Sequence, residues 1–481
     1  MNLLKEKYKP ELTKRKTFVR FLLLAAVGCV LAAKVYFMIF VVDMVIGIYS
    51  FLTSFVLFNI ILFSYFRYKD PYIEVSDIDV ARNPPLVTIV VPVKNEEQNI
   101  RNCVRSCLEQ TYQRKEIIIV NDGSNDKTGE ILDQMHREYD SRNFHILHLS
   151  KSVGKKQAVE AASEIAKGDI YAFMDSDCDM AVDAVEKAVK VFYSDRTLGA
   201  LTTHGRVRGA HQGNIFQKFQ DVYIDGSCRA IKGAESSFGS VTCCSGSLSF
   251  YRRIAIQDFI HQWAHDRFLG TEFKFCTDRR MTAYVLGSPV QSASSDINVR
   301  KDTVKYPSIF STGSDEIEHM RNSSDPDFDQ SRSTKVYWNV KYSSSIRVNV
   351  GVPTTLPALI RQQIRWKKSF IRSLFSTGGI YWKRPFLISL LYYIQTAMRF
   401  VRPYIVFYSI VVLPLRGDII SLAYWICGIM FTGMIYAVDF RLRNPGDRIM
   451  LYRPLFTFIT TFVYTWFLIY AAITIRNRSW R

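Results

Sequence analysis

Hydrophobic residues are distributed along this chain in three regimes. Residues 17–66 are almost wholly apolar, "TFVRFLLLAAVGCVLAAKVYFMIFVV" and then "MVIGIYSFLTSFVLFNIILFSYF", interrupted at Lys34 and Asp43. That run has room for two membrane-crossing helices of about 20 residues each. Beyond residue 385 come "PFLISLLYYIQTAMRFVRPYIVFYSIVVLPL", "DIISLAYWICGIMFTGMIYAVDF" and "RPLFTFITTFVYTWFLIYAAITI". The stretch between is different: short apolar runs alternate with amphipathic ones. "LVTIVVPVKNEEQNIRNCVRSCLEQ" reads as a buried strand, a polar turn and an amphipathic helix, and "KEIIIVNDGSNDKTGEILDQMHREY" repeats the pattern. "FHILHLS" is a further strand, and "GKKQAVEAASEIAKGDIYAFMDSD" a helix followed by a strand. This alternation predicts an α/β domain, a parallel sheet covered by helices, in which ligands collect at the carboxyl ends of strands.

The expected division is a basic N-terminus (1–16), two transmembrane helices (17–67), a globular domain (70–350), interfacial helices (351–384) and a C-terminal transmembrane region (385–481). Net charge is +18 over 481 residues, with pI near 9.4 and 48% hydrophobic residues. The basic residues concentrate at membrane flanks rather than on one soluble face, which favours a lipid bilayer and phosphorylated substrates over nucleic acid. "KEKYKPELTKRK" and the "RYK" after the second span place the central domain in the cytoplasm by the positive-inside rule. A second long span and the lack of a small-residue cleavage site argue against a signal peptide. "RLRNPGDR" and "RNRSWR" are both basic with one evident span between them, so some C-terminal apolar stretches are expected to lie in the interface. The nine cysteines show neither a CxxC pair nor zinc-type spacing, as befits a reduced compartment, and Cys103 and Cys107 read as helix packing.

Chemistry enters with "AFMDSDCDM", where Asp175, Asp177 and Asp179 follow a short apolar run at every second position. With Asp122 of "VNDGS", carboxylates fan from two predicted strand ends. A hard divalent cation, Mg²⁺ or Mn²⁺, cancels their repulsion and bridges to phosphate oxygens. A solvated acidic loop is the plain alternative. Lys155 and Lys156 of "SVGKKQA" follow a glycine where a loop enters a helix, a place to meet a diphosphate, or simply two surface lysines. "SVTCCSGSLSFYRR" is rich in small residues that let backbone approach a ligand, or make a tight turn with buried cysteines. Asp278 of "FCTDRRMT" is either a helix N-cap or a general base. In "LIRQQIRWKKSFIRSLF" the residues Arg361, Arg365, Lys367, Lys368 and Arg372 alternate with apolar ones, as in a basic helix lying on a membrane. Its Gln362, Arg365 and Trp366 are also spaced to hold a leaving phosphate and stack an indole on a sugar.

In this order the pieces resemble the processive, membrane-embedded family 2 glycosyltransferases with a GT-A fold, the group of hyaluronan, chitin and cellulose synthases. The likeness runs from the first spans to "TIRNRSW", and "CSGSLSFYRR" with "RQQIRWKKSF" most resembles the hyaluronan synthases. The resemblance implies that Glu96 and Asp122 hold the uridine side of UDP and Lys155 its phosphates. It implies Asp175 and Asp177 as the nucleotide and metal ligands, Asp278 as the base that deprotonates the acceptor hydroxyl, and Arg279 as a substrate contact. Cys244, Ser245 and Gly246 would line the sugar pocket, with Gln362, Arg365 and Trp366 closing over diphosphate and acceptor. The implied partners are UDP-GlcNAc, UDP-glucuronate and a growing polysaccharide, carried outward by the C-terminal spans.

The chain departs from that pattern at Ser247, where hyaluronan synthases usually have Pro, and at Cys276–Thr277, where they usually have Gly and an acidic residue. Residues 290–340, including "STGSDEIEHMRNSSDPDFDQSRS", read as an inserted polar surface excursion. The ending "SWR", where many relatives continue, predicts a shortened channel-entrance element. Two other readings stand beside the first. One is a single-sugar polymerase, making chitin oligosaccharide or another capsule glycan. The other is a transporter or scaffold whose soluble domain only binds nucleotide, although a transporter needs neither Asp278 nor the DSD cluster.

Overall fold

The computed structural model describes residues 10–80, 83–139, 142–290 and 336–477, so most of the 290–340 excursion lies outside the described residues. Two apolar helices, α1 (Pro10–Phe40) and α2 (Met44–Leu62), precede the globular domain. That domain opens with β1 (Val87–Val93), α3 (Ile100–Leu108), β2 (Lys115–Asn121), α4 (Thr128–Glu138), β3 (Phe144–His148), α5 (Lys155–Ile165) and β4 (Ile170–Phe173). Strands β1 to β4 are parallel neighbours, in spatial order 3-2-1-4. Val90 gives its carbonyl to Met174 beyond β4, so with a period of two Pro92 also faces that side. The β4 pairing ends at Val90, and the missing N–H of Pro92 therefore breaks no ladder.

The second half departs from the expected all-parallel sheet. β5 (Asp179–Met180), α6 (Ala184–Ser194), β6 (Leu198–Val207), α7 (Ile215–Gly226), α8 (Gly233–Ser236) and β7 (Ser249–Arg252) come next. Then follow α9 (Ile260–Ala264), the two-residue pair β8 (Arg267–Phe268) and β9 (Thr271–Glu272), α10 (Thr277–Gly287) and β10 (Asn339–Val350). β7 runs antiparallel between β4 and β6, while β10 pairs parallel with β6 and antiparallel with β5, giving one mixed eight-stranded sheet. Apolar cores pack on its two faces: Cys103 and Cys107 of α3 lie in one, and Val159 of α5, Trp263 of α9 and Val285 of α10 in the other. All nine cysteines are free.

Among the described residues, four helical stretches are long and apolar enough to cross a membrane: Thr17–Phe40, Met44–Arg67, Phe386–Leu415 and Ile419–Arg443. Their near ends meet the globular domain. Arg67 donates to the Ser237 carbonyl (3.2 Å), Arg384 to Ser240 Oγ (3.0 Å), and Arg206 to Asn444 Oδ1 (3.1 Å). Their far ends meet each other, Asp43 N donating to Ser421 Oγ (2.7 Å) and Tyr408 OH to Asp43 (2.8 Å). The remaining apolar stretch is a helix pair, Arg448–Phe462 and Trp466–Ile473, bent by 45°. Arg453 near its start donates to the Val222 carbonyl, and Asn477 just past its end accepts from Lys368. Both ends meet the domain side, which accounts for two basic clusters separated by a single apolar stretch.

Candidate active site

The loops leaving β2 and β4 deliver the carboxylates. Asp122 follows β2 directly and is almost wholly buried. Its oxygens accept from Ser152 Oγ (2.8 Å), Val153 N (2.6 Å) and Gly154 N (3.0 Å). Gly154 has φ of 100°, a conformation only glycine adopts without strain, and α5 begins at the next residue. Asp122 thus fixes the turn that aims Lys155. The Lys155 ammonium pairs with Asp175 and stands 3.7 Å from Asp278. Burial works to depress the Lys155 pKa, but the carboxylates of Asp175 and Asp278 outweigh it and raise it.

Gly246 is the hub of this arrangement. Asp175 N donates to its carbonyl (2.9 Å), and its own N–H donates to Asp278 Oδ2 (2.9 Å). A Cβ added there would lie 2.8 Å from Asp175 Oδ2, 2.8 Å from Lys155 Nζ and 3.0 Å from Asp278 Oδ1. Asp278 is not the helix cap: that position is Cys276, in the left-handed region at φ 65°. A glycine takes this conformation freely, whereas a cysteine pays about 1–2 kcal/mol for it. The Asp278 side chain turns instead to the Gly246 amide and accepts from Thr277 Oγ1 (2.8 Å).

Around this hub the sequence-predicted residues take distinct places. Burial, and then the neighbouring Asp175, push the Asp177 pKa up to about 6. Glu96, whose carboxylate accepts from Asn99 Nδ2 (2.9 Å), is raised by burial and by Asp126 and Asp175. Ser245 Oγ accepts from Lys232 Nζ (2.5 Å). Cys244 is packed away from the cleft, its N–H donating to Thr282 Oγ1 (2.9 Å), so it supports the pocket from behind. Arg279 follows Asp278 on α10.

The amphipathic helix Leu356–Ser376 closes the site. Burial lowers the Arg365 pKa, opposed by Asp175, Asp177 and Asp278, whose field reaches it. Gln362 has a buried amide oxygen with no hydrogen-bond partner among the described residues. Trp366 stacks on Tyr223 of α7 (centroids 6.0 Å, planes 26°), which in turn meets Phe456 of the bent pair edge-on (5.8 Å). This helix does not simply rest on a membrane, because Lys368 and Arg372 are buried.

Sequence reasoning missed what anchors it. Arg372 pairs with the buried Asp266 (2.7 Å), which also receives Lys156 (3.6 Å) and Arg280 (3.4 Å). Asp266 joins α5, α10 and the closing helix, and nothing in its local sequence marks it. Lys156 is therefore a buried anchor and not a second phosphate ligand. The remaining cleft donors, Asp175 and Asp177, are neighbouring carboxylates, and burial followed by that proximity raises Asp177. That oxygen set fits a hard divalent cation.

The family model described as "Glycosyl transferase family 2" matches residues 88–260, which hold β1 to β7 of the sheet and the DSD loop. A hyaluronan synthase of Streptococcus pyogenes is 27% identical over 400 residues, 82% of each chain. An N-acetylglucosaminyltransferase of Rhizobium leguminosarum bv. viciae is 30% identical over 214 residues, 44% of this chain and 49% of its own. Among solved structures, a mannosyltransferase from Pyrobaculum calidifontis in complex with GDP-Man and Mn²⁺ overlays with a TM-score of 0.50 at 15% identity, covering 90% of this chain and 99% of that one. Taken with the sheet order and the carboxylates at its strand ends, these likenesses show a glycosyltransferase family 2 domain at residues 88–260, a GT-A-like fold and, beside it, apolar helices long enough to cross a membrane.

Proposed function

We propose that this protein is a processive, inverting synthase. It polymerises hyaluronan from UDP-GlcNAc and UDP-glucuronate at the cytosolic face of the plasma membrane and passes the polymer out between its own membrane helices. The observation that carries this reading is the convergence of Lys155, Asp175 and Asp278 on Gly246 beneath the Arg365 helix. The similarity to the streptococcal hyaluronan synthase over most of both chains supports the choice of product.

In this mechanism Asp278 accepts the proton of the acceptor hydroxyl while that oxygen bonds to the anomeric carbon of the donor sugar. The bond from that carbon to the β-phosphate oxygen breaks, and UDP leaves. Lys155, released from Asp175 by the incoming diphosphate, and Arg365 hold the negative charge that develops there. Asp175 and Asp177 would hold Mg²⁺ or Mn²⁺, which supplies further neutralisation of the leaving diphosphate. No protein nucleophile is required. Glu96 and the turn held by Asp122 border the nucleotide, while Ser245 and Gly246 border the sugar. Trp366 offers its indole to the acceptor.

An acidic polymer suits the charge beside the site. Burial pulls Lys367 down to about 7, and Arg402, Arg399 and Arg279 add to the effect. Lys367 has no ion-pair partner among the described residues. A polyanion passing this cluster supplies the missing counter-charge.

The partial likeness to an N-acetylglucosaminyltransferase favours one second reading, a polymerase of a single sugar. UDP release separates the two. Hyaluronan synthesis requires release with both nucleotide sugars to far exceed the sum of release with each alone. Equal release with UDP-GlcNAc alone would favour the second reading and overturn the first.

A further inference from the structure

A second group of metal-ligating side chains lies outside the active site. Glu160 on α5 accepts from His261 Nδ1 of α9 (2.6 Å) and pairs with Nε2 of His265, the residue just after α9 (3.1 Å). The two imidazole rings have centroids 4.7 Å apart. One donor atom from each of the three residues lies within 4.8 Å of the other two.

The fold explains the convergence. Ile260, Trp263 and Ala264 of α9 are buried in the same core as Ala158, Val159 and Ala162 of α5. His261 and His265, four residues apart, therefore share the outward face over Glu160. Glu160 is five residues after Lys155, about 140° around the helix and roughly 7.5 Å along it, so this group is not part of the cleft.

We propose that Glu160, His261 and His265 form a second, chemically distinct cation site that takes a borderline transition metal of the zinc class. Two imidazoles and one carboxylate are the donor set that zinc prefers, whereas Mg²⁺ selects all-oxygen sites such as the aspartates of the cleft. A tetrahedral zinc holds its ligand atoms roughly 3.3 Å apart, a closure that torsions of the two exposed histidine side chains supply. Water completes the coordination. On binding, each ring turns an unprotonated nitrogen to the metal and keeps a proton on its other nitrogen: a neutral imidazole only shifts tautomer, an imidazolium releases one proton to solvent, and no electron transfer is involved.

The site would clamp α5 to α9 on the flank of the catalytic centre. Lys155 heads α5, and Trp263 of α9 donates its indole N–H to the Thr277 carbonyl (2.9 Å) beside Asp278. Bound metal thus stiffens both elements that aim the catalytic groups. It does so without entering the reaction.

The test uses full-length, tag-free protein in detergent under excess Mg²⁺, titrated with Zn²⁺ and separately with Cu²⁺ for electron paramagnetic resonance. The expected result is one Zn²⁺ per chain and a Cu²⁺ spectrum carrying hyperfine structure from two nitrogens. In H261Q/H265Q, Zn²⁺ affinity should fall at least about tenfold, and the rise in thermal midpoint given by Zn²⁺ should disappear. UDP release by that variant in Mg²⁺ alone should match the parent. No Zn²⁺ uptake by the parent, equal uptake by the variant, displacement by equimolar Mg²⁺ or the lack of nitrogen hyperfine structure would each overturn the proposal. None of these readouts depends on which sugars the enzyme uses.

Discussion

Adding one methyl group at the hub is the sharpest perturbation the site offers. Gly246 lies outside the positive-φ region, so alanine meets no backbone strain there. The penalty is purely steric and falls on three side chains. The new Cβ would sit 2.8 Å from both Asp175 Oδ2 and Lys155 Nζ, and 3.0 Å from Asp278 Oδ1. Ordinary contact begins near 3.4 Å, so each group must yield by roughly 0.4–0.6 Å. All three side chains are about a quarter to two-fifths exposed and can swing away, which spares the fold but spreads the catalytic groups. Displacements approaching 1 Å at a reacting centre cost on the order of 10²-fold in rate. Gly246→Ala is therefore expected to lower the turnover number for UDP release by tenfold to about a hundredfold, while the thermal midpoint in detergent stays near that of the parent. Gly28→Ala is the control, because its Cβ would meet only Phe58, at 3.6 Å. Parental turnover in Gly246→Ala would refute the placement of the reaction at this hub.

Other consequences follow from the same geometry. Asp177 titrates near 6 rather than in the usual carboxylate range, so metal must compete with a proton below that pH. From pH 7 to pH 5 its ionised fraction falls about tenfold, and the Mn²⁺ concentration giving half-maximal UDP release should rise by about that factor. A metal requirement flat across this range would contradict the assignment. Trp366→Ala removes the stack on Tyr223 and should shorten the product with a smaller effect on UDP affinity, as read by gel sizing and UDP titration. Asp266→Asn strands Lys156, Arg280 and Arg372 around a neutral group and should destabilise the protein by about 3 kcal/mol or more. A thermal midpoint unchanged in that variant would show that the ion cluster does not anchor the closing helix.

The extent to which these features could be read from sequence follows physical range. The strand–helix alternation from β1 to β4 is written in local periodicity, and so are Asp122 and Asp175 at strand ends. The second half of the sheet is not, because β6 and β10 pair across more than a hundred intervening residues and β7 inserts antiparallel between β4 and β6. Composition identified Leu356–Ser376 as a basic amphipathic helix, but not that Arg372 and Lys368 turn inward. Arg372 is held by Asp266 and Lys368 by the Asn477 carbonyl, partners distant in the chain and locally unremarkable. The convergence of Asp278 with Gly246 and Lys155 is likewise a contact between segments far apart in the chain, suggested by motif order and established only by geometry. Glu160 and the two histidines escaped notice because Glu160 lies a hundred residues from its partners.

The central claim, that Asp278 acts as base on an acceptor beside a nucleotide diphosphate, is tested most directly by Asp278→Asn. UDP affinity and polymer formation are measured on the same detergent-purified sample with UDP-GlcNAc, UDP-glucuronate and Mn²⁺. The account predicts UDP binding close to that of the parent and polymer synthesis reduced by about 10²- to 10⁴-fold. Polymer made at the parental rate would contradict it.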